Sequence, residues 1–290
     1  MRACFALTRE RSKRERKTIV NDYRSFSYRA QMCASVGGHV SVNGHDMTTW
    51  NLKQTRELLR RKFENGNQFE KAQECLGSVI DRCEYARFHY YEIKEILEKE
   101  ITPSSGESKL VALFGGKSQE SQREFDFALG KIGAHVVACV QSLHAVSDIL
   151  AHAIYYSLGI NLSSDSIPER RVRVSSVRNK LQNFAGYQLL SEALNSIVTH
   201  DHHAYLDALA NHSKHRSLVK PGLWLDMTSG ASEQFSLKFQ QFEYDGNYYE
   251  EREVEIFLKE VLNQISKIVV DAGNELNGVF QRAGSLKIEV

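Results

Sequence analysis

The sequence has few prolines and no cysteine arrangement that defines a disulfide framework. Only three prolines occur in 290 residues, Pro103, Pro168 and Pro221, which favours long uninterrupted helices over many short strands. The five cysteines are an odd number and include no Cys-x-x-Cys pair, so neither paired disulfides nor a four-thiolate zinc site is expected. These absences indicate a helical protein of a reducing compartment, and we expect a cytoplasmic location.

Motifs that identify several enzyme classes by themselves are also missing. The chain contains no glycine-rich phosphate loop, no nucleophile elbow and no His-Glu-x-x-His zinc motif. The apolar run Ala3 to Leu7 is too short for the core of a signal peptide. The most apolar internal stretch, Ile132 to Leu158, is interrupted by three histidines, Gln141 and Asp148, so we predict no membrane span there.

Positive charge is concentrated at the N-terminus. Residues 1–46 carry nine Lys and Arg against four Asp and Glu, which leaves a net charge of about −4 for residues 47–290 of a chain whose total is +1. The first segment has no sustained hydrophobic period and is predicted to be a disordered extension, either without function or acting as a basic arm for nucleic acid. Residues 47–290 are predicted to form one domain whose mildly acidic balance still permits a local basic site.

One long apolar helix is expected to organise this domain. No Lys, Arg or Glu occurs between Lys131 and Glu169, so a helix here would be apolar nearly all round and must be covered by other helices. We predict that it begins near Ser118 and ends at Gly159, because a glycine is a common helix C-cap. It would be the central rod of a bundle.

The rest of the chain predicts further helices and one change of period. A helix is expected from Asn67 to about Lys99, and the segment Lys109–Phe114 is either a strand or a packed loop. Near-alternating apolar residues followed by Asp245-Gly246 indicate a β-hairpin, and a last helix follows from about Val254. The predicted fold class is therefore mainly α, a helical bundle with a long central helix and a small β-hairpin insertion before the last helix. Shorter helical patterns occur at Thr55–Phe63, Ser176–Phe184, Gln188–Thr199 and His202–Asn211.

Three polar side chains recur along the central helix. His144, Asp148 and His152 are spaced four residues apart, so each is rotated by about 40° from the one before it. They could bind zinc, iron or nickel together with His212 and His215, as helical bundles often do. Alternatively they are polar groups at the edge of the core that hydrogen-bond to neighbouring helices. Our main expectation is no metal and no cofactor.

A second polar cluster occupies the end of a later helix, at residues 211–216. Its cations suit the negative end of the helix dipole and could bind a phosphate. Two other interpretations stay open, a solvated helix end and a buried network in which Asp148 faces Lys214 or His215. The members of this cluster are Asn211, His212, Ser213, Lys214, His215 and Arg216.

The order of these features resembles a known family. Five features follow one another over about residues 119–285: an apolar helix with the His-x3-Asp-x3-His pattern, Arg178-Asn179, Asn-x-x-Lys-His-Arg, a hairpin and a last helix. This order is similar to that of uncharacterised members of the HEPN superfamily. The resemblance implies a helical bundle that forms homodimers. Active members are metal-independent ribonucleases in toxin, CRISPR and phage-defence systems, so RNA is the implied partner.

The family's catalytic signature is an Arg followed, after four to six residues, by a His. At those spacings Arg178 is followed by Asn183, Phe184 and Ala185. We therefore expect a non-catalytic HEPN-like module that binds RNA, a nucleotide or a partner protein, with a metal-independent ribonuclease and a metal-binding bundle enzyme as alternatives. Arg82 and His89 also satisfy the signature spacing. The expected binding residues are His144, Asp148, His152, Arg178, Asn179, Asn211, His212, Lys214, His215 and Arg216.

Overall fold

The computed structural model describes residues 49–64, 66–101, 118–226 and 234–285. The described residues from Asn51 to Ser285 belong to one compact unit. The expectations for the basic extension 1–46 and for the segment Lys109–Phe114 lie outside the described residues.

The fold is mainly α, as predicted. The helix Asn67–Ile96 continues through Leu97–Ile101 as a short π-helical turn, and 3-10 turns form at Ile160–Leu162 and Glu169–Arg171. The seven α-helices of the described residues are α1 (Leu52–Phe63), α2 (Asn67–Ile96), α3 (Gln119–Leu158), α4 (Val174–Gln182), α5 (Gln188–Thr199), α6 (His203–His215) and α7 (Val254–Ser285).

The predicted ends of the central helix α3 are confirmed. The side chain of Ser118 accepts a hydrogen bond from the backbone N–H of Ser121 at 3.2 Å and caps the first turn. Gly159 adopts a left-handed conformation with φ of 75° and ends the helix. A side chain at this position would be strained and would also meet the ring of Phe63.

Helices α2 and α3 form an antiparallel pair at the centre of the bundle. Glu100 and Lys131 form a salt bridge near one end, and Gln68 donates to the carbonyl oxygen of Tyr156 near the other. By length and apolar composition α3 could cross a membrane, but half of its most apolar window is buried inside the protein. That burial is what a central core helix requires.

The β insertion is larger than the predicted hairpin. Strands β3 (Phe242–Tyr244) and β4 (Asn247–Tyr249) pair through a turn in which Asp245 and Gly246 have positive φ, which confirms the Asp-Gly signal. A three-stranded antiparallel sheet in the order β1-β2-β5 was not predicted. Its strands are β1 (Pro221–Asp226), β2 (Gln234–Phe239) and β5 (Arg252–Glu253).

Candidate functional site

Helix α6 places a row of polar side chains against the middle of α3. His144 Nε2 lies 3.0 Å from Asp207 Oδ1, and Asn211 donates to the same oxygen at 3.0 Å. Lys214 Nζ lies 3.3 Å from His144 Nδ1. Because an ammonium group only donates, Nδ1 accepts this bond and Nε2 carries the proton that is donated to Asp207.

His203 and Gln141 continue the same contact between α3 and α6. Gln141 donates to the carbonyl oxygen of Ala210 at 3.1 Å. Burial lowers the pKa of His203, while Asp207 raises it and His144 lowers it further. His203 is therefore expected to be neutral at pH 7, and it adds no positive charge next to Asp207 and His144.

The geometry of this network limits its chemistry. Both ring nitrogens of His144 are engaged, so neither is free to accept a proton from a substrate while Lys214 stays in place. The network instead holds α6 in register with α3 and positions Lys214 at the surface. The carboxylate in it is Asp207, whereas Asp148, the partner in one of the interpretations left open, is exposed.

His152, the other histidine of the pattern, and His215 lie apart from the network. His152 Nδ1 lies 2.9 Å from the backbone oxygen of Asp148 one turn earlier on α3. His215 is exposed at the end of α6. Among the described residues no three His, Cys, Asp or Glu side chains are placed to hold one metal ion, so the alternative in which His144, Asp148 and His152 converge on a metal is not supported there.

The end of α6 forms a cationic and aromatic surface, which we call the α6 edge and define as Lys214, His215, Arg216 and Tyr244. The guanidinium of Arg216 lies 5.1 Å from the centroid of the Tyr244 ring, within the range of a cation–π contact. All three cations or potential cations are exposed. In the described part of the chain, the salt bridges found do not include Lys214 or Arg216.

His212 supports the α6 edge from inside. Its Nδ1 lies 2.7 Å from the backbone oxygen of Ser217, and its ring packs edge-on against Phe242 and Tyr244 at 5.6 and 6.2 Å between centroids. The hairpin β3–β4 is thereby attached to the end of α6. His212 thus has a structural contact that fixes where Tyr244 stands.

Arg178 and Asn179 belong to a different part of the bundle. Arg178 donates to the side-chain oxygens of Asn195 on α5 and of Asn179 next to it. Its Nε is buried and has no hydrogen-bond partner among the described residues. These residues link α4 to α5, and none of their hydrogen bonds joins them to the α6 edge.

A histidine pair that was not predicted joins α2 to α3. The Nδ1 atoms of His89 and His135 lie 2.9 Å apart, and the ring of Phe88 lies edge-on beside both. Burial and then the neighbouring His135 lower the pKa of His89. Arg82 lies two turns earlier on α2, at the spacing of the ribonuclease signature.

Sequence reasoning also missed Asp207, although a signal for it was present. His203, Asp207, Asn211 and Lys214 are spaced by four, four and three residues, which places them on one face of a helix. This spacing shows that the four side chains share a face of α6. It contains nothing that shows that the face is turned toward His144.

The described structure is a mainly α helical bundle with a small β insertion, carrying a cationic and aromatic edge at the end of one helix. Comparison with models of known protein families, with characterised proteins and with solved structures gave no match.

Proposed function

We propose that the chain is a non-catalytic, HEPN-like helical module that binds single-stranded RNA at the α6 edge. The observation that carries this proposal is the contact of Arg216 with Tyr244 beside the exposed Lys214 and His215. Cations next to an aromatic ring suit single-stranded RNA, since the cations pair with phosphates and a base can stack on the ring. The role in bacterial defence that the HEPN resemblance implies is part of the proposal.

Two observations support a binding role over catalysis. Both ring nitrogens of His144 are occupied, and Arg178 has two amide oxygens as partners and no histidine at the signature spacing. The α6 edge contains His215 as its single imidazole, and no second acid–base group is bonded to His215 within the part of the chain that the structure describes. Such a site can bind a phosphate, but it lacks the paired acid and base that RNA cleavage commonly needs.

Replacing both Lys214 and Arg216 by glutamine should weaken RNA binding at least about tenfold, because two phosphate contacts are lost. For the same reason the slope of the logarithm of the binding constant against the logarithm of the salt concentration should become shallower by about 1.4. The melting temperature should change little, since exposed charges contribute only about 0 to 1 kcal/mol. Fluorescence anisotropy with a labelled 12-nucleotide RNA, repeated at several salt concentrations and with mononucleotides as competitors, measures the affinity for RNA and its salt dependence.

The matched control is Lys53→Gln with Lys259→Gln, which removes the same charge from two exposed positions on α1 and α7. This control should bind RNA like the unaltered chain. Equal weakening in both double variants would mean that net charge, and no particular site, attracts the RNA. An RNA affinity unchanged by the Lys214 and Arg216 variant would refute the proposal.

The His89–His135 pair favours a second candidate, the metal-independent ribonuclease. Two imidazoles bonded to each other can exchange a proton, and Arg82 stands at the signature spacing. Incubating the same RNA mixtures with EDTA and separating them on a denaturing gel distinguishes the candidates. We expect intact RNA, whereas cleavage that is lost on His89→Ala would replace the binding proposal with this one.

A homodimer is also proposed, because α2 exposes three aromatic side chains, Tyr85, Phe88 and Tyr91, over about 120° of its surface. Aromatic residues are enriched in protein interfaces. Analytical ultracentrifugation should therefore show a species of twice 33.0 kDa, and Tyr85→Glu with Tyr91→Glu should shift it to the monomer. Leu162→Glu, at another exposed apolar position, is the control, and a monomer in the unaltered chain at micromolar concentration would contradict the proposal.

A further inference from the structure

The structure brings together two imidazoles from distant parts of the chain. His89 on α2 and His135 on α3 are separated by 46 residues in sequence, and their Nδ1 atoms lie 2.9 Å apart. Next to them, the thiol of Cys139 donates to the carbonyl oxygen of Ala86 at 3.3 Å. This contact involves the backbone of α2 and so holds the two helices at the separation that places the rings together.

We propose that His89 and His135 form a two-histidine binding site for late first-row divalent cations such as Zn²⁺, with water completing the coordination. A zinc–imidazole bond is about 2.0 to 2.1 Å long, so two nitrogens at a tetrahedral angle stand about 3.3 Å apart. The two Nδ1 atoms would need to separate by a few tenths of an ångström, and the rings would need to rotate so that both lone pairs point at the ion and no longer along the line between the nitrogens. Both side chains are partly exposed, which leaves room for that rotation and for entry of the ion.

The proton in the histidine pair has a place to go when the ion binds. A hydrogen bond between the two Nδ1 atoms requires one ring to carry its proton on Nδ1 and the other on Nε2. Binding requires both protons on Nε2, so one proton transfers through water from Nδ1 to Nε2 of the same ring. Both Nδ1 lone pairs then face the ion, and no net proton is released from the neutral pair.

The ligands select the class of ion. Imidazole suits zinc, nickel and copper, whereas magnesium and calcium prefer oxygen ligands. Within the described ranges no third His, Cys, Asp or Glu completes a site around the pair, so the ion would be exchangeable. A bound ion would cross-link α2 and α3, at a place separate from the α6 edge.

Isothermal titration of the metal-stripped full-length chain with ZnCl₂ should show one site per chain that MgCl₂ does not fill. Zinc should also raise the melting temperature, because an ion that binds only the folded state stabilises it. His89→Gln and His135→Gln should each weaken zinc binding at least about tenfold. Mutating a residue that only hydrogen-bonds to a metal ligand already lowers metal affinity by that factor. His152→Gln, which removes a histidine elsewhere on α3, should leave the site unchanged.

Binding to the unaltered chain that persists in both single variants would overturn the proposal, as would the absence of binding at about 100 μM zinc. Circular dichroism of each variant shows whether it is folded. If one glutamine variant does not fold, the other still decides, because each ligand is needed. The RNA measurement uses different residues, so either proposal can fail without the other.

Discussion

Lowering the pH from 7 to 5 should destabilise the folded chain by about 2 kcal/mol through His200 alone. His200 lies in the turn between α5 and α6, is only 8% exposed, and neither of its ring nitrogens has a hydrogen-bond partner in the described residues. Burial, followed by the neighbouring His203 and His202, lowers its pKa from 6.5 to about 4.

The sign of the effect follows from where the proton is bound. The unfolded chain takes up this proton near pH 6.5, whereas the folded chain takes it up only near pH 4. Between these values the unfolded state binds more protons, so the free energy of unfolding falls as the pH falls. His203, whose pKa is also lowered, acts in the same direction.

Urea unfolding of the unaltered chain and of His200→Leu at pH 7, 6 and 5 tests this prediction. In the leucine variant the decline should be smaller by about 2 kcal/mol, because it has no group to protonate at that position, while the contribution of His203 remains. His215→Leu, which removes an exposed imidazole at the other end of α6, should keep the decline. An identical pH dependence in the unaltered chain and the His200 variant would contradict the assignment.

Replacing Leu143 with alanine should cost about 2 to 5 kcal/mol of unfolding free energy, because Leu143 is 1% exposed in the middle of α3 and the truncation leaves a cavity. For a domain of this size the melting temperature should fall by about 5 to 15 °C. Thermal unfolding followed by circular dichroism measures the shift.

Leu162→Ala provides the matched control for the Leu143 substitution. Leu162 follows the end of α3 and is 65% exposed, so the same chemical change should alter stability by no more than about 0.5 kcal/mol. A loss in the Leu143 variant as small as the one expected for Leu162→Ala would show that α3 is not the covered core helix of the bundle.

Several features of the fold depend on neighbouring residues and were predicted for that reason. Ser118 and Gly159 end α3 through contacts within one helical turn, and Asp245-Gly246 makes a tight turn because two adjacent residues accept positive φ. The nearly charge-free stretch from Ile132 to Leu158 similarly requires a covered helix. All the residues that make up each of these signals lie close together in the sequence.

The three-stranded sheet illustrates what such signals lack. Pro221 begins β1, a position where a strand tolerates proline. No nearby residue in the sequence indicates which strand β1 pairs with. Strand β1 pairs with β2 from Pro221 opposite Phe239 to Asp226 opposite Gln234. That pairing depends on the burial of the sheet, as the fully covered Leu237 and Phe239 show.

The candidate site was predicted in part. Lys214, His215 and Arg216 were recognised from their charges at the end of a helix, and the structure adds Tyr244 from the hairpin. His144 and Asp148 differ by about 40° around α3, and this rotation leaves His144 facing α6 while Asp148 faces solvent. Periodicity gives the angle between two side chains, but only the packed neighbours decide which one is covered.

The sequence by itself therefore determined the helices, the two ends of α3, the tight turn and the polar groups that each helix carries, whereas α1 begins three residues earlier and α6 ends four residues later than predicted. The tertiary structure decided which of those groups meet, such as His89 with His135, and Thr55 with Asn277, whose hydrogen bond spans 222 residues at 2.7 Å. Such contacts depend on the register and rotation of whole helices. Those are set by the combined packing of many buried side chains, because no single pair contributes enough free energy to fix them.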